Sequence, residues 1–107
     1  MAIMEISVVP LGTGGTSLSS YVADCIRVLK KARIPFELSA MGTNVEGDLK
    51  KLVGIALKMH QVPFKRGAQR VVTTLKIDDR RDKKGTIAGK KKAVRDKLIK
   101  RRHVIPK

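Results

Sequence analysis

The sequence has few of the residues that mark secreted, metal-binding or membrane-spanning proteins. Its one cysteine, Cys25, cannot form an internal disulfide and fits a reducing cytosol. Its two histidines, His60 and His103, have no cysteine or carboxylate partner at metal-ligand spacing, so we predict no metal site. No apolar run approaches the roughly 20 residues that span a membrane, and the start lacks the basic region of a signal peptide. We therefore expect a cytoplasmic protein.

Aromatic residues are also scarce, at 3% of the chain with no tryptophan. The core must therefore be built from aliphatic and sulfur-containing side chains, which a hydrophobic content of 42% can supply. A chain of 107 residues is long enough for one such core and too short for two. We expect a single folded domain in which Cys25 packs at an apolar helix position.

Acidic residues are few, and the net charge of +15 is concentrated at one end. Residues 76–107 hold fourteen Lys and Arg against four Asp, a net charge of +10. The remaining +5 belongs to residues 1–75, which hold ten basic and five acidic residues. A basic C-terminal segment of this kind can contact nucleic acid or acidic lipid, and it is also a common solubility device.

The first half of the chain reads as strand, helix, strand, strand. Met4, Ile6 and Val8 alternate with more polar residues, and an amphipathic helix follows the loop LGTGGTS at 11–17. Thr16 or Ser17 is a natural N-cap for that helix.

The stretch MGTNVEGD at 41–48 predicts a hairpin and the start of a second helix. Alternation from Phe36 to Met41 is typical of a strand, Gly42 permits a turn, and a short strand runs from Thr43 to Glu46. Asp48 stands at the N-cap position of the helix that follows.

The second half reads as helix, strand, helix. The second helix is expected to fade near Pro63, and RVVTTLKIDD at 70–79 is a β-branched strand. A third, basic helix is expected over 86–102 with only a thin apolar stripe.

The order βαββαβ predicts an α+β, ferredoxin-like fold. This fold has a four-stranded antiparallel sheet with two helices on one face, here followed by a C-terminal basic helix. We assign residues 4–80 to the ferredoxin-like domain and residues 81–107 to the basic helix and tail, which we expect to dock weakly.

Two helices leave the other sheet face to solvent or to a partner. Strand alternation gives this open face a mixture of acidic, hydroxyl, amide and apolar side chains: Glu5, Ser7, Val9, Met41, Asn44, Glu46, Val72, Thr74, Lys76 and Asp78. Such a mixture suits self-association around a small polar ligand.

Several separated motifs resemble one known family. These are VVPLGTGGTS at 8–17, YVAD at 21–24, MGTNVEGD at 41–48 and RVVTTLKIDDRRDK at 70–83. Together they resemble the thiamine-binding protein family of small ferredoxin-like chains in the YkoF-like superfamily, from about residue 4 to about residue 98. The resemblance implies a homo-oligomer, usually a tetramer built from two dimers, that binds thiamine or its hydroxymethylpyrimidine part without known chemistry.

The resemblance also implies which residues bind the ligand. Thr13, Thr16 and Ser17 come from the glycine loop, Thr43 and Glu46 from the hairpin, and Lys76 and Asp78 from the last strand. Asn44, which shares the predicted face of Glu46, completes the set of ligand-binding candidates. A carboxylate at Glu46 can accept from the exocyclic amino group of an aminopyrimidine or pair with a protonated ring nitrogen.

Two other function classes compete with binding of a small molecule. An enzyme is not expected, because no nucleophile has a base beside it, and no cofactor is implied. Nucleic-acid association remains the alternative. Because the open face has no aromatic side chains on which bases could stack, such contact is expected to come from Lys90 to Lys107 and to be electrostatic and non-specific.

Overall fold

The computed structural model describes residues 1–104, with side chains through residue 99, as four strands and three helices. In chain order they are β1 (Ala2–Leu11), α1 (Ser19–Lys31), β2 (Phe36–Leu38), β3 (Thr43–Gly47), α2 (Leu49–Lys65), β4 (Arg70–Asp79) and α3 (Ile87–Val104). The strands form one sheet in the order β2-β3-β1-β4, with every neighbouring pair antiparallel. The predicted ferredoxin-like fold with a C-terminal helix is confirmed.

The core lies between one sheet face and helices α1 and α2. Met4 and Ile6 of β1 stand opposite Val45 and Thr43 of β3, and all four are buried. The helices close over them with buried aliphatic and sulfur-containing side chains: Cys25, Leu29, Leu52, Ile55, Ala56 and Met59. Cys25 is therefore a core residue, as predicted.

The two helices begin differently. Asp48 caps α2 as predicted, because its carboxylate accepts a hydrogen bond from the backbone N–H of Lys51 at 3.1 Å. The cap predicted for α1 is wrong. Its N-cap residue is Leu18, which makes no side-chain cap hydrogen bond, while the Ser17 hydroxyl contacts the Ser19 hydroxyl instead.

Helix α2 includes Pro63 and ends two residues later at Lys65, so it ends near the proline as predicted. Proline has no N–H to give to the carbonyl four residues earlier, which here belongs to Met59. The Cys25 thiol donates to that carbonyl oxygen across 3.6 Å. A buried side chain of α1 thus occupies the acceptor that Pro63 leaves open.

The hairpin turns earlier than its sequence pattern suggests. β2 ends at Leu38, and the predicted strand positions from Ser39 to Met41 form the turn. Both the backbone N–H and the hydroxyl of Ser39 donate to the Gly42 carbonyl at 2.9 Å, which closes the turn. A Cβ at Gly42 would lie 3.2 Å from the Ile6 carbonyl oxygen, so only glycine passes β1 without crowding.

Helix α3 lies against the sheet face that α1 and α2 leave open. The Ile87 backbone N–H donates to Glu46 of β3 at 3.0 Å, and Lys90 contacts Asp78 of β4 at 2.6 Å. Lys91 also pairs with Glu37 of β2. We expected this face to be solvated or covered by a partner, but a helix of the same chain covers one end of it.

Candidate functional site

A cavity of about 310 Å³ lies between the middle of β1, the start of α1 and the β2–β3 turn. We call it the hairpin cavity. Its walls are formed by Ile6, Ser7, Val8, Val9, Leu18, Val22, Cys25, Leu38, Ser39, Ala40, Met41, Gly42, Thr43 and Met59. This volume is at the lower end of the range for small-molecule sites.

The cavity exists because β1 has a neighbour on only one side over half of its length. β4 pairs with β1 from Ala2 to Leu11, whereas β3 pairs with it only from Ala2 to Ile6. A longer β3 would place Met41 opposite Val8, since Thr43 stands opposite Ile6. The turn instead leads the chain away from β1 and leaves a gap in the sheet.

The wall of the hairpin cavity is mostly apolar and carries few polar groups. Thr43, at 4% exposure, is the buried polar residue among the described side chains, and the hydroxyl residues Ser7 and Ser39 also line the wall. Burial, and to a smaller extent the Asp24 charge, raises the pKa of the Cys25 thiol to about 11. The lining side chains are therefore uncharged at pH 7.

A second, more open cleft of about 300 Å³ lies under α3 on the opposite sheet face. It holds two acids, Glu37 and Glu46, and two bases, Lys91 and Arg95. The hydrogen bond from Lys91, and then that from Asn44, lowers the pKa of the Glu37 carboxyl. Glu46 accepts from the first amide of α3. These contacts hold α3 on the sheet, and the charges of the cleft balance.

The structure separates the sequence-predicted site residues into two groups. Thr43 lines the hairpin cavity, and the loop that carries Thr13, Thr16 and Ser17 leads directly into Leu18 of its wall. The second group lies on the opposite face: Asn44, Glu46, Lys76 and Asp78. The predicted face assignment is confirmed there, because Glu5 stands opposite both Asn44 and Lys76.

The sequence did not identify most of the hairpin cavity. Cys25 is predicted to be a core residue, and Val22 and Met59 also fit the apolar stripes of their helices, so the sequence pattern does not distinguish these wall residues from ordinary core residues. Pro10 is the one sequence feature that could have indicated the gap in the sheet. A proline has no N–H, so within a strand it marks a position where no neighbouring strand needs a donor.

The histidine within the described side chains serves the packing of α2 on β4. His60 Nδ1 lies 2.6 Å from the Thr73 hydroxyl, and its ring meets Phe64 edge to face at 5.4 Å. In the described part of the chain, no three His, Cys, Asp or Glu residues cluster as metal ligands. No helix in that part is long and apolar enough to cross a membrane.

Comparison with known proteins assigns the chain to a family. Residues 4–95 match the family model described as thiamine-binding protein. The chain belongs to this family. This member of the thiamine-binding protein family is similar to the UPF0045 protein YqgV of Bacillus subtilis, with 39% identity over 102 residues, 92% of this chain and 98% of YqgV. A UPF0045 protein of Methanothermobacter thermautotrophicus is 44% identical over 99 residues, 92% of this chain and all of the relative.

Solved structures share the fold. A hypothetical protein of Methanocaldococcus jannaschii, MJ1052, matches with a TM-score of 0.79 at 42% identity, over 87% of this chain and 94% of that one. A Thermotoga maritima protein, TM0486, described as a candidate thiamine biosynthesis/salvage protein, matches with a TM-score of 0.70 at 22% identity. That match covers 87% of this chain and 97% of TM0486, and at this identity it supports the fold alone.

Proposed function

We propose that this protein binds thiamine or its hydroxymethylpyrimidine part in the hairpin cavity, without catalysing a reaction. The observation that carries the proposal is the cavity itself: a preformed, largely apolar space of about 310 Å³ with a few hydroxyl and backbone polar groups. A flat, uncharged heterocycle matches this lining, and membership of the thiamine-binding protein family supports the choice of ligand.

The loop before α1 is proposed to contact the part of the ligand outside the cavity. Thr13, Thr16 and Ser17 precede Leu18, which lines the cavity, and the first turn of α1 has no side-chain cap. Hydroxyl groups at this position can bind the polar substituent that a pyrimidine carries away from its buried edge. Thr43 is proposed to contact the ring from inside.

The proposed assembly is a homo-oligomer joined through β4. This strand is ten residues long, lies at the edge of the sheet and exposes Val72, Leu75 and Ile77. A long edge strand that exposes apolar side chains pairs readily with another chain. Two copies paired antiparallel about Thr74 would place Arg70 of one copy beside Asp78 of the other at both ends of the interface.

The basic C-terminal helix does not lead us to propose a second function. Lys90 and Lys91 contact acids of the sheet, so part of the charge of α3 is neutralised within the domain. Electrostatic contact with nucleic acid stays a prediction, which a filter-binding titration with salt would test because phosphate-driven binding weakens steeply as salt rises.

Calorimetry and thermal denaturation with thiamine, hydroxymethylpyrimidine and unrelated heterocycles test the proposal. A ligand at 100 times its Kd stabilises the fold by about 2.7 kcal/mol, which raises Tm by roughly 10 °C in a domain of this size. Val22→Phe fills the cavity from α1 and should abolish the shift. Ala23→Phe, its exposed neighbour on the same helix, should not. Absence of binding by the unmodified protein would refute the proposal.

A further inference from the structure

The backbone of β1 at Val8 offers an unused hydrogen-bonding edge to the hairpin cavity. In an antiparallel sheet the N–H and C=O of one residue point to the same neighbouring strand, and successive residues point to alternate sides. The Ile6 carbonyl oxygen points toward the hairpin, because it lies 3.2 Å from where a Cβ of Gly42 would be. Val8, two residues later, therefore points its N–H and C=O to the same side.

Pro10 supports this assignment independently. It lies within the continuous β1–β4 ladder opposite Val71. A proline has no N–H to donate, so it fits the ladder only where the donor would point away from β4. Pro10 then shares the orientation of Ile6 and Val8, toward the side where β3 has ended.

Val8 consequently presents a donor and an acceptor side by side, and no strand pairs with them. The pairing of β1 with β3 ends at Ile6, two residues before Val8. None of the backbone hydrogen bonds of turns and loops in the described residues involves Val8. Val8 also lines the hairpin cavity, between Ser7 and Val9 on β1 and facing the turn residues. Polar backbone groups in an apolar site bind strongly only to a ligand with the complementary pattern.

We propose that the Val8 backbone recognises the 4-aminopyrimidine edge, with the Val8 N–H donating to a ring nitrogen and the Val8 C=O accepting from the exocyclic amino group. This inference rests on the proposed function and specifies which edge of the ligand the cavity recognises. The amino group and the adjacent ring nitrogen present a donor and an acceptor in the same spacing as a strand edge. The cavity has no charged side chain to bind a phosphate, so the neutral ring is the part selected.

The inference predicts discrimination between the 4-amino ring and its 4-oxo analogue. The oxo form carries an N–H donor where the amino form has its ring acceptor, and an acceptor where the amino form has its donor. In the same pose donor meets donor and acceptor meets acceptor. Leaving these buried groups unpaired should weaken binding by on the order of 10- to 100-fold.

The test combines calorimetry with backbone NMR on the full-length chain. Calorimetry compares hydroxymethylpyrimidine with its 4-oxo analogue, and NMR follows the Val8 amide with the Val9 amide, which points to β4, as the internal control. We expect the Val8 amide to exchange rapidly in the free protein, and to shift downfield and become protected when hydroxymethylpyrimidine binds. The Val9 amide should stay protected throughout.

Two results would overturn the inference and leave the proposed function standing: equal affinity for the amino and oxo rings, or ligand binding without a change at the Val8 amide. Absence of any binding by thiamine and hydroxymethylpyrimidine would refute both. A Val8 amide already protected in the free protein would also refute the inference. Val8→Pro, which removes the N–H without removing a β4 bond, should reduce affinity at least tenfold relative to Val8→Ala.

Discussion

Glu46 Oε2 accepts a hydrogen bond from the backbone N–H of Ile87 at 3.0 Å, although the two residues are 41 positions apart. This contact fixes the start of α3 on the sheet face opposite the hairpin cavity. A carboxylate at the N-terminus of a helix is also favoured by the helix dipole. Glu46 was predicted from the sequence to bind the ligand, and the structure gives it a partner within the chain.

Replacing Glu46 should therefore affect α3 more than the ligand. We expect Glu46→Ala to speed hydrogen exchange at the Ile87 amide. It should also lower the free energy of unfolding by about 1.5 kcal/mol, which is the low end for a hydrogen bond to a charged group, because Glu46 is only half-buried. Glu5→Ala, on the same face but with no side-chain hydrogen bond to the described residues, is the control. Calorimetry on Glu46→Gln should give unchanged thiamine affinity. A tenfold loss would place the ligand beside Glu46 instead.

Proline at the outer edge of β4 should separate the proposed oligomer. The backbone groups of Thr74 and Lys76 point toward β1 and bond to it, and successive residues of a strand point to alternate sides. The N–H of Leu75, which lies between them, therefore points away from β1. Leu75→Pro removes that outward donor and should yield a folded monomer of about 12 kDa by light scattering, the mass of a single chain. Leu75→Ala keeps the donor and should remain oligomeric. A native protein that is already monomeric would contradict the proposed interface.

The Cys25 thiol should make stability fall at alkaline pH. Its pKa is raised in the folded protein from about 9 to about 11, so the unfolded chain ionises first as pH rises. The stabilisation is complete below pH 9 and is lost between pH 9 and 11, on the order of 2 kcal/mol. Urea unfolding at pH 8 and pH 10.5 should show a larger loss for the native protein than for Cys25→Ala. An equal loss in both would exclude this cause.

The two helix starts make a matched pair of capping tests. Asp48→Ala should cost about 1 kcal/mol, because it removes the acceptor for the Lys51 amide at the start of α2. Ser17→Ala should change the free energy of unfolding by less than about 0.5 kcal/mol, because Ser17 does not cap α1. Chemical denaturation measures both. A large effect of Ser17→Ala would restore the cap predicted from the sequence.

The periodicity of the sequence predicted the fold correctly but identified only part of the hairpin cavity. Alternation in β1 and β3 predicted the two sheet faces, because a buried strand must repeat every two residues. The hairpin cavity depends on where a turn closes, and alternation at Ser39 and Met41 looks the same in a strand and in a turn. The partner of Glu46 lies 41 residues away, at a distance that local patterns do not reach.

Insertions at the early turn between Ser39 and Gly42 would change the hairpin cavity. Two more strand residues in each arm of the hairpin would let β3 continue along β1, pair with Val8 and close the hairpin cavity. Pro10 sets a limit to that extension, since a partner opposite it would lack one donor. Loop length at this turn therefore acts as a determinant of whether a member of this fold has room for a ligand at all.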